Sequence, residues 1–343
     1  MSDSQIPGVD LGVLHAWMDH RSLGIGPLTG VELIAGGTQN VLLRFRRGDR
    51  TFVLRRPPLH KRANSDETMR REARVLAALA GSAVPHPGLI AAEADPELMG
   101  AAFYLMEAID GFNVTLGLPE PFASDLGWQH AMGLSMADAI AALAAVDHVA
   151  VGLGDLGRFD GWAQRQVGRW QKQLDSYSEL PGYDGPDLPG VHEVGEWLAA
   201  HLPSNAQPGI IHGDFHFGNV LISRDRPQLA AIVDWELVTI GDPLLDLGHL
   251  LATWPRADGE GIGVGAAAPG LPTPDEVIAR YAAQSPRSLH HLDWYRVLAC
   301  YRLGLILEGT HARACAGLAP KETGDLLHAH TVSLLEQALT LIT

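Results

Sequence analysis

Residues 210–222 read IIHGDFHFGNVLI, two apolar flanks around two histidines, an aspartate, an asparagine and two glycines. Buried polar groups cost free energy unless they are paired, so a polar centre between such flanks needs a reason to be there. Asp214 and Asn219 stand five residues apart, and Asp234 follows fifteen residues later. Phosphoryl transfer asks for such a set. One carboxylate orients the attacking hydroxyl and can take its proton, while an amide and a second carboxylate hold Mg²⁺ against phosphate oxygens. Oxygen ligands suit that hard cation, and an asparagine ligates without adding charge.

The elements that would carry these residues can be read from pattern. VELIAGGTQNVLLRFRRGDRTFVLRRP contains three β-prone runs, about Val31 to Ala35, Val41 to Arg46 and Thr51 to Arg55. In the second run Val41, Leu43 and Phe45 alternate with Leu42, Arg44 and Arg46, a period of two. Gly48-Asp49 suits a hairpin turn between the second and third runs. A helix is expected from about Asp66 to Ala80. Val75, Leu76 and Leu79 form its apolar stripe, and Glu72 lies on the same face. A carboxylate there needs a cationic partner. Strands at Leu89 to Ala94 and Phe103 to Ile109 complete five, and Asp110-Gly111 breaks the pattern.

The remainder reads as mainly helical. Met132, Met136, Ala139, Leu143 and Val146 keep helical spacing, as do Trp162, Gln166, Trp170 and Leu174. SELPGYDGPDLPG (178–190) is a loop, and 191–202 a helix. IIHGDFHFGNVLI and a short strand, LAAIVDWE, follow. Helices then fit Pro243 to Trp254, Pro274 to Ala283, Leu289 to Cys315 and Thr323 to Leu341, with a Gly-rich connection over 256–274. There is no internal repeat.

With 343 residues, the chain exceeds what one hydrophobic core usually holds. Its net charge of −15 is unevenly placed. Residues 1–110 carry 12 Lys+Arg against 13 Asp+Glu, whereas 111–343 carry 13 against 27. The second part should repel nucleic acid and anionic membranes. No run of 18 apolar residues suggests a membrane span, and MSDSQIPGVD lacks the basic and apolar regions of a secretory signal. Cys300 and Cys315 are too few for a disulfide framework. These features lead us to expect a cytoplasmic protein, monomeric or homodimeric, with neither nucleic acid nor membrane as partner.

The spacing H-x-D-x-x-x-x-N resembles the kinase catalytic loop, with Gly213 where protein kinases carry arginine. IVDWE resembles the strand-end metal aspartate, with Trp235-Glu236 in place of Phe-Gly. HGDFHFGN, IVDWE and GDPLLDLGHLL together resemble the aminoglycoside phosphotransferase-like (choline kinase-like) family of small-molecule kinases. The resemblance runs from the Gly-rich turn near residue 36 to at least residue 254. It implies an α+β, protein-kinase-like two-lobe fold. A small β-rich lobe (1–110) would hold a five-stranded sheet and one key helix, and a larger, mainly helical lobe (111–343) the catalytic loop, metal site and acceptor pocket. The implied activity is transfer of the γ-phosphoryl of ATP or GTP, with Mg²⁺, to a small-molecule hydroxyl.

Carried over by motif, Asp214 resembles the catalytic base, and Asn219 and Asp234 the metal ligands. Asp246 resembles a structural aspartate, a helix cap or a brace for the loop. Gly36, Gly37 and Thr38 would turn over the phosphates, although the full G-x-G-x-x-G is absent. Val53 and Arg55 share a strand face. Arg55 stands where kinases place the lysine that contacts phosphate and pairs with the helix glutamate, here Glu72. Arginine forks onto carboxylate or phosphate but is longer and less compact than lysine. Met106 resembles the gatekeeper, and the backbone of Glu107 and Ile109 would hold the adenine edge. VLRRPP with the IVDWE ending looks most like the branch associated with acyl-CoA dehydrogenases. That branch implies a hydroxyl-bearing, acyl-CoA-like metabolite, which the basic run Arg44 to Arg62 could meet.

Two rival classes remain at this point. A metal-dependent hydrolase could use His212, Asp214 and His216, since H-x-D-x-H on a strand puts three ligands on one face. Gly213 and Gly218 argue instead for a loop, in which His212 braces the backbone and His216 stands behind the base or lines the cleft. A catalytically silent nucleotide-binding module would normally have lost an acidic or amide position, and here all three are present. His249 and Trp254 read as packing or cleft wall.

Overall fold

The structure, a computed structural model, describes residues 6–34, 40–255 and 268–343. Gly36, Gly37 and Thr38, and most of the Gly-rich connection after Trp254, lie outside the described residues. The chain forms two compact units, Met1–Gly111 with Ala230–Glu236, and Phe112–Leu229 with Leu237–Thr343.

The first unit is built on a sheet of β1 (Leu28–Leu33), β2 (Val41–Arg47), β3 (Arg50–Arg56), β4 (Leu89–Glu93) and β5 (Phe103–Glu107), ordered β1-β2-β3-β5-β4 and antiparallel throughout. The β2–β3 hairpin turns where the sequence places Gly48, which adopts the left-handed φ of +60° that glycine alone takes without strain. The sheet continues from Leu28 rather than Val31, and β5 stops at Glu107, short of Ile109.

One helix escaped the pattern. α1 (Leu11–His20) starts at Asp10, whose Oδ1 accepts from the Gly12 and Val13 amides at 2.8 and 3.0 Å. Its buried Leu14, Trp17 and Met18 join Leu43, Phe45, Phe52, Leu54, Phe103 and Leu105 in one cluster. Trp17 meets Phe103 edge-on, with centroids 4.9 Å apart. This cover explains why β3 is buried on both faces, with Phe52 and Leu54 turned to the cluster while Val53 and Arg55 occupy the alternate face. α2 (Ser65–Ala78) buries Met69, Glu72, Ala73 and Leu76, an i, i+3, i+4, i+7 stripe that includes the carboxylate.

The second unit contains α3 (Leu126–Ala144), α4 (Trp162–Asp175), α5 (Val191–Ala200), α6 (Leu244–Ala252), α7 (Pro274–Gln284), α8 (Leu292–Cys315) and α9 (Lys321–Ile342). The apolar flank before the catalytic-type loop is a short strand, Gly209–Ile211. It pairs antiparallel with Thr239–Gly241, Ile210 facing Ile240. The second flank becomes a strand at Val220–Ser223. Every residue of α6 is buried, so Asp246 and His249 on it must find partners inside. Gly248 lets α6 approach α8, since a Cβ there would lie 2.6 Å from the Tyr295 carbonyl oxygen. Among the described residues, no helix is long and apolar enough to cross a membrane.

Candidate active site

In the second unit the loop after Ile211 is held through its backbone amides by a side chain of α6. The Asp246 carboxylate accepts from the His212 amide at 2.7 Å and the Gly213 amide at 2.9 Å. Asp246 is therefore a brace for the loop, one of the two roles the sequence suggested. Burial pushes its carboxyl up to about 6, against the pull of those two amides and of buried Arg302. His212 is also fully buried, and its Nδ1 accepts from the Asp214 amide at 3.3 Å. It braces the loop rather than facing outward. Residues 212–216 are not a strand, and it is His249 rather than His212 that joins Asp214 and His216 in a group whose ligand-type atoms lie within 4.8 Å of one another.

The Asp214 carboxylate is one-third exposed and is held on both oxygens. His249 Nε2 stands 3.2 Å from Oδ1, and Asn219 Nδ2 donates to Oδ2 at 2.9 Å and to the Asp214 carbonyl at 2.9 Å. These two bonds turn the amide nitrogen of Asn219 toward Asp214. His216 Nδ1 accepts from the Gly218 amide at 3.0 Å. Its Nε2 faces Asp214 Oδ2 at 3.6 Å and Asn219 Nδ2 at 3.3 Å. Burial raises the Asp214 pKa, but the His216 and His249 imidazoles beside the carboxylate outweigh it and hold it well below the usual range. Burial also pushes His249 down, so a neutral imidazole faces the carboxylate. The result is an ionised acceptor with a fixed orientation.

Two supports of this loop were not read from the sequence. His249 reads from the sequence as packing or cleft wall, not as a partner of Asp214, and Asn113, whose Nδ2 donates to the Gly218 carbonyl at 2.7 Å, carries no signal 105 residues upstream. Gly213 has φ +84°, and a Cβ there would lie 2.7 Å from the Leu237 carbonyl oxygen. The arginine of protein kinases cannot stand at this position without moving the loop. Gly213→Ala is expected to destabilise the protein by about 1–3 kcal/mol, read as a fall of several degrees in Tm. An unchanged Tm would mean that the loop tolerates another backbone path.

In the first unit Arg55 and Glu72 meet as anticipated. Arg55 Nε lies 2.8 Å from Glu72 Oε2, and its Nη2 donates to Oε1 at 3.2 Å. Tyr104, paired across the sheet with Arg55, donates its hydroxyl to Glu72 Oε2 at 2.7 Å. Unanticipated is a third contact, from Arg55 Nη2 to Asp234 Oδ1 at 2.6 Å. Burial alone would lower the Arg55 pKa, but Glu72, Tyr104 and Asp234 together raise it, so the guanidinium stays charged. Asp234 itself has φ +64°, uncommon for a residue with a side chain, and buried Trp235 follows it, its Nε1 donating to the Ile232 carbonyl at 3.1 Å. Glu72, Asp234 and Glu236 each bring a carboxylate oxygen within 4.8 Å of the others. Glu236 had not been singled out.

Val53 pairs with Met106 in the register of β3 and β5. The amide of Glu107 donates to the Gly88 carbonyl at 2.9 Å, so that N–H is not available to a base. The basic run Arg44 to Arg62 is not one patch. Arg47, Arg55 and Arg56 are buried, Arg44 pairs with Glu32, and Lys61 pairs with Asp66, leaving Arg46, Arg50 and Arg62 exposed.

Comparison with known proteins identifies the family and the fold. The model of a family described as "Phosphotransferase enzyme family" matches residues 30–292. The crystal structure of a provisionally designated aminoglycoside phosphotransferase from Ralstonia eutropha JMP134 is similar at a TM-score of 0.81 and 29% identity, over 96% of this chain and 98% of that one. The GDP complex of wild-type aminoglycoside 2'-phosphotransferase-IIIa is similar at a TM-score of 0.65 and 14% identity, over 98% and 100% of the two chains, a likeness of fold alone. Human acyl-CoA dehydrogenase family member 11 is 28% identical over 339 residues, covering 96% of this chain and 42% of the relative. Acyl-CoA dehydrogenase family member 10 of Mus musculus is 27% identical over 308 residues, covering 88% and 28%. The chain spans less than half the length of these curated relatives. It has the protein-kinase-like fold of the aminoglycoside phosphotransferases, and it belongs to the phosphotransferase enzyme family.

Proposed function

We propose that the chain is a kinase that moves the γ-phosphoryl of ATP or GTP to a hydroxyl of a small-molecule acceptor. The observation that carries this reading is the Asp214 carboxylate, ionised and held by His249 and Asn219 within H-x-D-x-x-x-x-N. Asp214 accepts a hydrogen bond from the acceptor hydroxyl, orients its oxygen and takes its proton as the new ester bond forms. His249 and Asn219 keep the carboxylate from rotating away. Arg55, fixed by Glu72, stands where kinase-like spacing puts the cation that meets phosphate oxygens.

The donor set fits Mg²⁺: the amide oxygen of Asn219 and the carboxylate of Asp234 are hard oxygen ligands. The bound ion would neutralise charge on the phosphate oxygens. Asp234 has a second task in the structure, because Arg55 already pairs with it. Asp234→Ala should therefore weaken binding of Mg²⁺-nucleotide by about tenfold or more, and metal-free nucleotide much less. Asn219→Ala should act in the same direction but more mildly, as it removes no charge. Calorimetric titrations of ATP with and without Mg²⁺ test this. Equal losses in both titrations would remove Asp234 from a metal role.

For the acceptor, the names of the curated relatives support testing hydroxyl-bearing acyl-CoAs first. Aminoglycosides and hydroxylated metabolites are the comparison set.

A further inference from the structure

Beyond residue 292, where the family match ends, α8 and α9 bring together a second group of metal-type donors. Glu308 and His311, three apart on α8, and His328 on α9 each offer a ligand atom within 4.8 Å of the others. Glu308 is fully buried. Its Oε2 lies 2.9 Å from His328 Nδ1, while its Oε1 accepts from the Tyr183 hydroxyl at 2.8 Å. The His311 and His328 rings lie 4.5 Å apart at 33°. Cys315, one helical turn beyond His311, has its Sγ 3.6 Å from His311 Nε2, and Asp325 Oδ1 stands 3.9 Å from His311 Nδ1.

A buried glutamate satisfied by a tyrosine and a histidine could be merely structural. Three features speak for more. Three donors from two different helices bring their ligand atoms within 4.8 Å of one another, so a single divalent ion can engage the carboxylate and both rings. The 2.9 Å between Oε2 and Nδ1 is a hydrogen-bond distance, and it needs to widen by only a few tenths of an ångström to reach the roughly 3.3 Å between tetrahedral ligands at about 2.0–2.1 Å from a shared ion. Tyr183 binds the outer carboxylate oxygen, and Asp325 stands beside His311, an arrangement that in metal sites orients the ligands from behind.

We propose that Glu308, His311 and His328 form a site for a borderline transition-metal ion, Zn²⁺ foremost, which clips α8 to α9. Two imidazoles and one carboxylate match the three-ligand sets that zinc accepts and that Mg²⁺ and Ca²⁺ do not favour. The adjacent Cys315 thiol strengthens that preference. His311 and His328 are only half-buried, which leaves the ion a way in. The site is separate from Asp214 and Asp234, so it stands whether or not the chain transfers phosphate.

The test uses the full chain, stripped by chelator and dialysed. Zn²⁺ is titrated by calorimetry without nucleotide, Tm is followed in parallel, and Co²⁺ serves as a spectroscopic probe of a tetrahedral site. Asp214, His216 and His249, and likewise Glu72, Asp234 and Glu236, also bring metal-type donors together, so the titration is repeated in His216→Ala and Asp234→Ala. One equivalent should bind in all three proteins, with a rise of several degrees in Tm once Zn²⁺ exceeds its Kd about 100-fold. His311→Ala and the milder His328→Gln should lose at least about tenfold in affinity, together with the Tm rise and the tetrahedral Co²⁺ bands. Wild-type protein that binds no Zn²⁺ would overturn the site. Binding that survives His328→Gln and His311→Ala, or vanishes in His216→Ala or Asp234→Ala, would also overturn it.

Discussion

Asp214→Asn should abolish phosphoryl transfer while nucleotide binding survives. The change keeps the size of the side chain but removes the charge that takes the proton. A general base typically contributes about 10²–10⁴-fold to rate, and kcat should fall within that range. The geometry adds a second reason for a large effect. His249 Nε2 and Asn219 Nδ2 both aim at the Asp214 carboxylate, and an amide in its place puts an NH₂ against one of these donors. The side chain must then rotate, and the acceptor hydroxyl loses its orientation as well as its base. ATP affinity should stay within a few-fold, because the proposed nucleotide contacts come from Arg55, Asn219 and Asp234. A mutant with near-wild-type kcat on the true acceptor would take Asp214 out of the chemistry. A mutant that lost nucleotide affinity as severely as turnover would make it a binding residue.

The second large effect is expected at Arg55. This guanidinium joins Glu72, fully buried on α2, to Asp234, with contacts of 2.8 and 2.6 Å. Arg55→Ala leaves Glu72 buried with, among the described residues, Tyr104 as its remaining side-chain donor, and removes the cation standing between two carboxylates. Stranding one partner of a buried pair costs about 3–5 kcal/mol in the harsher cases. A fall in Tm of many degrees and a sharp loss in kcat/KM for ATP should follow. Glu72→Ala should be damaging for the mirror-image reason. The double mutant should be less damaged than the sum of the singles by about 0.5–3 kcal/mol, since the stranded charge is then gone. Arg55→Lys should retain part of the activity. One ammonium can reach Glu72 or Asp234, but it lacks the fork that engages both. Strict additivity in the cycle would mean that the pair does not act as one unit.

The sequence told unequal amounts about different links of this chain. Local signals were strong where one element carries its own pattern. The β2–β3 hairpin was visible in its alternation and Gly48, and the Asp214–Asn219 loop in its polar centre between apolar flanks. Glu72 was legible because a carboxylate on an apolar stripe demands a cation, and Arg55 was the cation that kinase-like spacing suggested. Contacts between distant segments were not legible. Nothing local in Asp234 says that Arg55, 179 residues earlier, will hold it. His249 sits in LLDLGHLL, where an all-buried helix hides a polar residue as well as an apolar one, and only the fold brings it to Asp214. α1 was a different kind of miss. Asp10 as N-cap and Leu14, Trp17 and Met18 at i, i+3 and i+4 were present in the sequence, and the stripe could have been found.

The central claim is that Asp214 directs a γ-phosphoryl group onto a small-molecule hydroxyl. The most direct test incubates the protein with Mg²⁺ and γ-labelled ATP or GTP against hydroxyacyl-CoAs, hydroxylated metabolites and aminoglycosides, and follows the label. The account predicts label in a phosphate ester on one acceptor class, dependent on Mg²⁺ and lost in Asp214→Asn. Label released only as inorganic phosphate with every acceptor, or transfer that persists in Asp214→Asn, would contradict it.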